Sequence, residues 1–465
     1  MRVAPVPLFG LGNSGKSVNV NAQERLNLYA EVNADPEKSG ITLFPTPGLE
    51  VFVDLGGNPI RGLWELRGYM YAVCGPTMYR IAPDGTMTNH GLLLTASGRV
   101  SIADNGTQIM IADNPNGYIF NVDTLVFEQI TDPDFPGAET VTFQNQLFIV
   151  NQPDTGRFYV SDLADGLSWD ALNFATAESS PDNLVAVIAD AGQLVLLGDK
   201  TTELWGDSGS LDFPYARIGS SAVEWGLAAR DSLCKFDDSL MFLRQNRLGK
   251  VQVCRLAGSS ATVVSTPEID FKFARYENVA DATAFAYMLD GHPMYQINFT
   301  TANRSWLYDG RNGGWSQVGS NEERHRTDTH TQFNGDLYAG NYTNGKVYRV
   351  DPDLNTDDGE QIAREWTGRH QSAGSFTQFS ELWIEMESGT GLQVGQGQMP
   401  QVMMRVSRDG GHEWGNELWR TFGAIGRYKA RATWLRLGRS RDWLFRFRVT
   451  DPVKTVFVAA WGVFK

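Results

Sequence analysis

Residues 67–81 read RGYMYAVCGPTMYRI, and residues 334–351 read NGDLYAGNYTNGKVYRVD. Both stretches contain a turn, an apolar strand, a second turn and an apolar strand with aromatic residues. This module recurs about seven times at spacings of roughly 40–55 residues, which is the range of propeller blades. The other copies begin at residues 105, 145, 191, 237 and 290. The repeat predicts an all-β fold with a β-propeller of about seven blade-like modules.

The repeats end at a polar, acidic segment, DPDLNTDDGEQ at 351–361, which is typical of a linker. Beyond it, segments such as ATWLRLGRSRDWLFRFRV at 432–449 alternate apolar and polar residues, which indicates an antiparallel β-sandwich. Short helices are predicted near 226–234 and 267–281. The predicted regions are an irregular N-terminal arm with first strands at 1–58, the propeller at 59–351, the linker at 352–362 and the C-terminal β-sandwich at 363–465.

Charge is distributed unevenly over the 465 residues. Residues 425–465 contain ten basic and two acidic residues, a net charge of +8, whereas the whole chain has −14, which leaves −22 for residues 1–424. An acidic body disfavours general DNA binding, because duplex binding needs clustered Lys and Arg. The basic segment either docks an acidic partner or an acidic face of a neighbouring copy, or its arginines simply point to solvent.

The composition also bears on cellular location. No apolar run approaches 18 residues, so no membrane span is predicted. The N-terminus MRVAPVPLFG lacks the apolar core of a secretory signal. The cysteines, Cys74, Cys234 and Cys254, lie in apolar strand patterns and are predicted to be buried free thiols. Synthesis and assembly in a reducing cytoplasm are consistent with this cysteine usage.

One motif, GLGNSGKS at 10–17, matches the P-loop pattern. In a P-loop, Lys16 would contact the terminal phosphates and Ser17 would bind Mg²⁺. The context disagrees, because APVPLF precedes the motif and two prolines do not fit a central strand. The residues after it form helices poorly, and no βαβ unit follows. A Gly-rich arm that packs on a neighbour is the better interpretation.

Two further motifs predict local structure. SRDGGHEW at 407–414 resembles the Asp-box of sialidases and related propellers, with Glu413 in place of the usual Thr; Asp409 would bond turn amides and Trp414 would pack beneath. DPDLNTDD at 351–358 spaces oxygen ligands as a calcium loop does, but Thr356 and Ile362 replace the Gly and Glu of that loop. A solvated linker is the simpler interpretation, and a cation site there stays open.

No residues stand out as catalytic, cofactor-binding or metal-binding. The histidines form no metal-spaced set, and no nucleophile motif occurs. Any two acids could form a glycosidase pair, but nothing selects one. ESSPDNL at 178–184 contains Glu178 and Asp182 and reads as an inter-blade turn. The loop NGGWSQ at 312–317 could stack on sugars, although blade packing also explains it.

Five stretches carry a resemblance to a known family. They are FPTPGLEVF (44–52), YAVCGPTMYRI (71–81), SGRVSIADNGTQ (97–108), AESSPDNLVAVIADAGQLVLLGDKTTELW (177–205) and the SRDGG…DPV run (407–453). From about residue 40 onward the chain resembles the tail accessory factor of short-tailed bacteriophages of the Salmonella-phage type, also called the tail hub or packaged-DNA stabilisation protein. The likeness is most specific over 177–205.

The resemblance implies a non-enzymatic structural protein of the virion tail. Such proteins form a hexameric ring below the portal and its adaptor ring, extend and seal the DNA channel, and receive the tail needle, tailspikes or fibres. Packaged DNA would pass through the channel without sequence-specific binding, and an acidic wall would let it slide. The alternative hypothesis is a virion-associated propeller that binds glycans or acts as a glycosidase.

Overall fold

The computed structural model describes residues 2–17, 21–33, 39–177, 182–210, 213–219, 223–245, 249–321, 323–371 and 375–464. Within these ranges, the strands form blade sheets of a propeller and a two-sheet sandwich, which confirms the predicted fold class. A 3₁₀ turn, Arg230–Ser232, lies within the fifth blade, and a short helix, α1 (Pro267–Phe273), lies between the fifth and sixth blades. Both fall within the two regions predicted to be helical.

Strands are numbered along the chain. Those before the first blade are β1 (Arg2–Pro5), β2 (Glu24–Leu26), β3 (Leu28–Val32), β4 (Ile41–Pro45) and β5 (Gly48–Asp54). Blade 1 comprises β6 (Ile60–Leu66), β7 (Tyr69–Cys74), β8 (Thr77–Ile81) and β9 (Met87–Leu92), and blade 2 comprises β10 (Ser101–Asp104), β11 (Gln108–Asp113), β12 (Asn116–Asn121) and β13 (Phe127–Gln129). Blade 3 comprises β14 (Val141–Gln144), β15 (Leu147–Asn151), β16 (Arg157–Asp162) and β17 (Asp165–Thr176). Blade 4 comprises β18 (Leu184–Asp190), β19 (Gln193–Gly198), β20 (Thr202–Asp207) and β21 (Tyr215–Arg217).

Three more blades complete the circle. Blade 5 comprises β22 (Gly226–Leu227), β23 (Cys234–Phe236), β24 (Ser239–Gln245), β25 (Val251–Ala257) and β26 (Ser260–Val263); blade 6 comprises β27 (Ala282–Leu289), β28 (His292–Phe299), β29 (Arg304–Asp309) and β30 (Trp315–Val318); and blade 7 comprises β31 (Thr327–Phe333), β32 (Asp336–Asn341) and β33 (Lys346–Asp351) with β5 as its fourth strand. The remaining strands are β34 (Thr356–Asp357), β35 (Glu360–Gln361), β36 (Arg364–Gln371), β37 (Thr377–Met386), β38 (Gln401–Ser407), β39 (Leu418–Thr421), β40 (Ala432–Ser440), β41 (Asp442–Val449) and β42 (Phe457–Phe464).

Each blade is an antiparallel meander whose turns suit the residues that form them. The β27–β28 turn has φ of 48° at Asp290 and 79° at Gly291, and the β31–β32 turn has 51° at Asn334 and 88° at Gly335. Two successive positive φ angles define a type I′ turn, and Asn-Gly and Asp-Gly form it most readily because they tolerate that conformation. These dipeptides therefore set the register of the two innermost strands of blades 6 and 7.

Buried polar contacts join adjacent blades. Arg61 of blade 1 is 3% exposed and pairs with Asp113 of blade 2 at 2.5 Å. The hydroxyls of Thr140, just before β14, and Thr142 on β14 accept hydrogen bonds from the backbone amides of Val187 and Ala189 on β18, at 2.9 and 3.0 Å. Such contacts satisfy polar groups that would otherwise be buried without partners, and they hold the inner strands together around the axis.

The propeller closes with a strand from the N-terminal region. Strand β5 pairs antiparallel with β33, with Leu49 opposite Val350 and Asp54 opposite Lys346. The short β34–β35 hairpin, within the predicted linker, joins the same sheet through Asp357 opposite Leu49. We keep 59–351 and 363–465 as proposed domain boundaries, although strands on both sides of them share this sheet.

The sandwich packs two sheets around an aromatic core. One sheet has the order β3-β4-β42-β37-β40, and the other contains β36, β41, β38 and β39. Its core includes the fully buried Trp366, Trp434 and Trp443. Strand β2 pairs with β36 on one side and with β30 of blade 6 on the other, so one continuous sheet runs from the propeller into the sandwich.

Candidate functional site on the propeller axis

The innermost strands of the propeller enclose a cavity of about 570 Å³ on its axis. Its lining includes Trp64 of β6, Ser101 of β10, Val141 of β14, Val187 of β18, Cys234 of β23 and His330 of β31. These residues come from blades 1 to 5 and 7, because the first strand of a propeller blade faces the axis. A concave site at the centre of a scaffold is the first place to look for function.

A single arginine spans this axis. Arg99 precedes β10 in blade 2, and its Nη1 donates to the backbone oxygen of Asp231 in blade 5 at 3.2 Å and to that of Ala284 in blade 6 at 2.9 Å. Hydrogen bonds from a charged donor are stronger than neutral ones. Arg99 therefore ties opposite sides of the propeller together and obstructs the axis.

A second charged group strengthens this closure. Arg230, between β22 and β23 of blade 5, lies 2.9 Å from Asp231 and 3.5 Å from Glu139 of the blade 2–3 connection. Burial alone would lower the pKa of Arg230, but Asp231 and Glu139 together raise it. Burial raises the pKa of the Glu139 carboxyl, and Arg230 opposes that shift. The network lies at the end of the axis at which the chain enters each inner strand.

Two further groups that line the cavity, Cys234 and His330, are held uncharged near neutral pH. Burial raises the pKa of the Cys234 thiol to about 12, so the thiolate needed for nucleophilic attack does not form near neutral pH. Burial, with a contribution from Arg99, lowers the pKa of His330 to about 4, and its ring stacks on Phe285 at 5.1 Å. This arrangement holds the blades together and provides no activated nucleophile.

The sequence contains no sign of this axial network. Arg99 lies in SGRVSIADNGTQ, where nothing distinguishes it from an arginine of an ordinary turn. Its partners are 132 and 185 residues away along the chain. Cys234 was predicted only as a buried thiol. All three cysteines are free thiols. Cys74 and Cys254 are buried, and Cys234 is partly buried.

The P-loop-like segment has no P-loop geometry. Strand β1, which precedes it, pairs with β42 of the sandwich, and the described residues up to β2 contain no helix. The amide of Gly12 donates to Gln23 Oε1 at 2.9 Å, and the Ser14 hydroxyl donates to Glu24 Oε1 at 2.9 Å. Asn13 donates to the backbone oxygen of Trp315 at 3.0 Å. The described arm thus packs on its own chain, whereas the sequence interpretation placed it on a neighbour.

The Asp-box-like turn forms as predicted. The Asp409 carboxylate accepts hydrogen bonds from the backbone amides of His412 and Glu413, each at 3.0 Å, and from the Ser407 hydroxyl at 2.7 Å. The amide of Glu413, with smaller contributions from Ser407 and His412, lowers the pKa of Asp409. Trp414 lies under the guanidinium of Arg446, 4.5 Å from the ring centroid. The motif stabilises a turn of the sandwich.

Two aspartates at the end of the calcium-loop-like segment form ion pairs within the chain. Asp357 pairs with Arg326 at 2.9 Å, and Asp358 pairs with Lys346 at 2.7 Å. Asn355 accepts a hydrogen bond from the buried Arg364 at 3.2 Å. No group of three or more His, Cys, Asp or Glu in the described part of the chain is arranged to hold a metal ion. The segment is held to the propeller by ion pairs and to the sandwich by the hydrogen bond between Asn355 and Arg364.

Two loops from the sequence analysis have structural roles. Trp315 of NGGWSQ is fully buried, and its Nε1 donates to the backbone oxygen of Val264 at 3.1 Å, so its ring is not open to a sugar. Asp182 accepts hydrogen bonds from the amides of Lys200 and Thr201 at 3.0 and 2.9 Å. Glu178, in the same predicted turn, lies outside the described residues.

Two family models cover nearly the whole chain. The β-propeller of bacteriophage P22 Gp10 matches residues 5–355, and the β-sandwich of the same protein matches residues 366–461. The chain belongs to the bacteriophage P22 Gp10 family. Members of this family are structural virion proteins that stabilise packaged DNA, and this chain is such a protein. None of the helices in its described part is long and apolar enough to span a membrane.

Solved structures outside the family are similar at low identity. The extracellular domain of a hybrid two-component system from B. thetaiotaomicron is 12% identical with a TM-score of 0.48 over 86% of this chain, which spans 56% of that protein. YCF48 from Cyanidioschyzon merolae is 12% identical, with a TM-score of 0.46 over 66% of this chain and 99% of that one. The Pan2 WD40 domain of Neurospora crassa is 9% identical, with a TM-score of 0.44 over 66% of this chain and 96% of that one. No curated protein matches the sequence.

Proposed function

We propose that this protein is a tail hub that forms a hexameric ring below the portal and its adaptor ring. The ring extends and seals the DNA channel and anchors the tail needle, tailspikes or fibres. The observation that carries this proposal is the closed axis of the propeller. The major groove of a DNA duplex alone is about 12 Å wide, so a duplex does not fit a 570 Å³ cavity crossed by Arg99. A channel for DNA must therefore form between copies of the chain.

Charge and fold support the ring. Residues 1–424 have a net charge of −22, which disfavours tight binding of the phosphate backbone, so DNA passes without sequence-specific contacts. Head-to-tail contacts between identical chains close into a ring when the rotation between neighbours fits. The uncharged state of Cys234 and His330 supports a role without catalysis, and the burial of Trp315 removes one sugar-stacking surface of the glycan-binding alternative.

The test uses DNA-filled heads that carry portal and adaptor but lack the distal tail. The purified protein is added, and the heads are imaged by cryo-electron microscopy while DNA release is measured. We expect a six-fold ring below the adaptor and restored DNA retention. Heads that bind no protein would contradict the hub, and a glycan array would then examine the alternative.

A further inference from the structure

The open side of the sandwich carries an unusual concentration of positive charge. Strands β39 and β40 are the last strands of their sheets, and the loop 422–431 joins them. We call this surface, residues 418–440, the basic edge. Its sequence contains no acidic residue and six basic ones, all exposed. These are Arg420, Arg427, Lys429, Arg431, Arg436 and Arg439.

The two strands of the basic edge belong to one surface. Arg420 Nε donates to the backbone oxygen of Thr433 at 2.8 Å, and Trp434 Nε1 donates to that of Leu418 at 2.8 Å. Within the described residues, Arg427, Lys429, Arg431, Arg436 and Arg439 form no ion pair with a carboxylate. Their charges are therefore available to a partner.

A bulge in β40 turns these side chains outward. Leu435 lies opposite Glu381 and Gly438 lies opposite Phe379, so β40 contains one more residue than β37 between these pairs. The extra residue is accommodated with Arg436 at φ 57°, a conformation that non-glycine residues seldom adopt. Bulges occur where a strand must redirect a side chain. Here Leu435 and Arg436 are both exposed.

Large apolar side chains accompany the charges. Tyr428 is 76% exposed, Leu435 61%, Ile425 55% and Trp419 51%. Arginine with exposed aromatic and aliphatic side chains is the composition of a protein interface core. Surfaces that bind DNA are more polar and more uniformly charged. The basic edge therefore suits an acidic protein surface better than a nucleic acid.

The propeller of the same chain presents such a surface. The turns between first and second strands and between third and fourth strands of every blade lie at one face, as the 2.5 Å pair of Arg67 in blade 1 with Asp123 in blade 2 shows. Exposed aspartates occupy these turns in each of blades 1 to 5. They are Asp84, Asp123, Asp162, Asp207, Asp237 and Asp238, which we call the acidic face.

Most of these carboxylates have no basic partner among the residues that the structure describes. Asp123 pairs with Arg67, and Asp237 pairs with Arg255 at 3.0 Å. In the described part of the chain, Asp84, Asp162, Asp207 and Asp238 form no ion pair. Asp162 accepts a hydrogen bond from the Ser168 hydroxyl at 2.6 Å, and Asp207 accepts hydrogen bonds from the Asn145 side-chain amide at 3.1 Å and the Gly209 backbone amide at 2.8 Å. These donors are all uncharged.

We infer that the basic edge of one copy docks on the acidic face of the next copy. The two surfaces are different and complementary, so the contact is head-to-tail and repeats around a ring. This inference rests on the proposed hub, for which it identifies the contact between subunits. The exposed apolar residues of the basic edge supply the buried area, and the charges set the register.

A charge swap tests the contact. Arg436→Glu with Arg439→Glu reverses the basic edge, and Lys200→Glu with Arg304→Glu is the matched control, because both residues are exposed in the propeller away from the acidic face. We expect the edge variant to need at least about tenfold more protein for half-maximal ring formation on tailless heads. Adding Asp162→Lys and Asp207→Lys to it should restore assembly, and the control should assemble like the wild type. Unchanged melting temperatures would show that the variants fold.

Isotope mixing provides a measurement that does not depend on affinity. Heads are loaded with equal amounts of ¹⁴N- and ¹⁵N-labelled Arg436→Lys protein, and carbodiimide joins lysines to nearby carboxylates. Mixed-isotope cross-links from residue 436 to the acidic face support the contact. Rings that form normally from the edge variant, or a variant that loses only affinity for duplex DNA, overturn the inference and leave the hub standing. A wild type that forms no ring overturns both.

Discussion

His330 illustrates how one partly buried side chain on the axial cavity can make the fold sensitive to acid. Its pKa is about 4 in the folded chain, because burial disfavours the charged ring, against 6.5 when exposed. Between pH 4 and 6.5, this histidine therefore binds a proton more readily in the unfolded chain than in the folded chain. His330 favours the folded state fully above about pH 6.5, and this advantage is lost as the pH falls towards 4.

We expect the free energy of unfolding to fall by about 1–3 kcal/mol between pH 6.5 and 4 as a result of protonation at His330. One pKa unit is 1.36 kcal/mol, and cavity water weakens the effect. Denaturant unfolding at several pH values measures it. His330→Phe should flatten the curve, whereas His412→Gln, at an exposed position, should leave it unchanged. Equal acid sensitivity of wild type and His330→Phe would contradict the assignment.

Single residues differ in how far the sequence reveals their roles. Asp409 bonds amides three and four residues along the chain, so a local motif was enough to predict the turn. Arg99 bonds carbonyls more than a hundred residues away, and the pairing of Arg61 with Asp113 links two blades. No local pattern encodes such distant contacts, because they arise only once the blades are arranged around an axis.

Among the elements, the N-terminal arm contributes to the sandwich core. Leu8 is fully buried, and its backbone oxygen accepts a hydrogen bond from Trp366 Nε1 at 3.1 Å. We expect Leu8→Ala to lower the free energy of unfolding by about 2–5 kcal/mol, because it leaves a cavity. Val3→Ala, in the same arm but 59% exposed, serves as the control and should change little. Chemical denaturation of both variants measures the difference.

Strand β40 leads to a prediction in which stability and assembly change in opposite directions. Replacing Arg436 with glycine should stabilise the isolated chain by up to about 1 kcal/mol, because glycine adopts positive φ without a Cβ clash. The same change should weaken ring formation on heads, since it removes a charge from the basic edge. Arg436→Lys keeps both the charge and the strain and should change neither property. A glycine variant that assembles as well as the wild type would show that the side chain at the bulge does not contribute to the contact between copies.

The blade strands could be predicted because each repeats the same local pattern of turn and apolar strand. The strands with which β2 and β5 pair could not be predicted. Leu49 pairs with Val350, about 300 residues along the chain, and Leu26 pairs with Gln317 on one side and Glu365 on the other. Short, irregular N-terminal strands have no repeat to identify them, so the sequence predicted only an arm with first strands.

At the scale of the whole molecule, the closed axis predicts that Arg99 stabilises the propeller but takes no part in retaining DNA. Arg99→Ala removes two charged hydrogen bonds across the propeller and should lower its stability by about 1–3 kcal/mol. Phage that carry this variant should still retain their DNA, because the duplex does not pass through the propeller. Release of DNA from purified particles on mild heating measures this. Leakage at temperatures where the variant is folded would place the axis in the DNA path.

The way in which β5 closes the propeller also affects how the protein is made. The ribosome releases residues 48–54 early, but their partner β33 ends at Asp351 and appears only after three-quarters of the chain has been synthesised. Strand β2 must wait longer, for β36 at 364–371. Contacts this distant in sequence form slowly. A nascent chain therefore cannot close its propeller or join it to the sandwich until translation is nearly complete. We expect each copy to become competent for assembly only at that point.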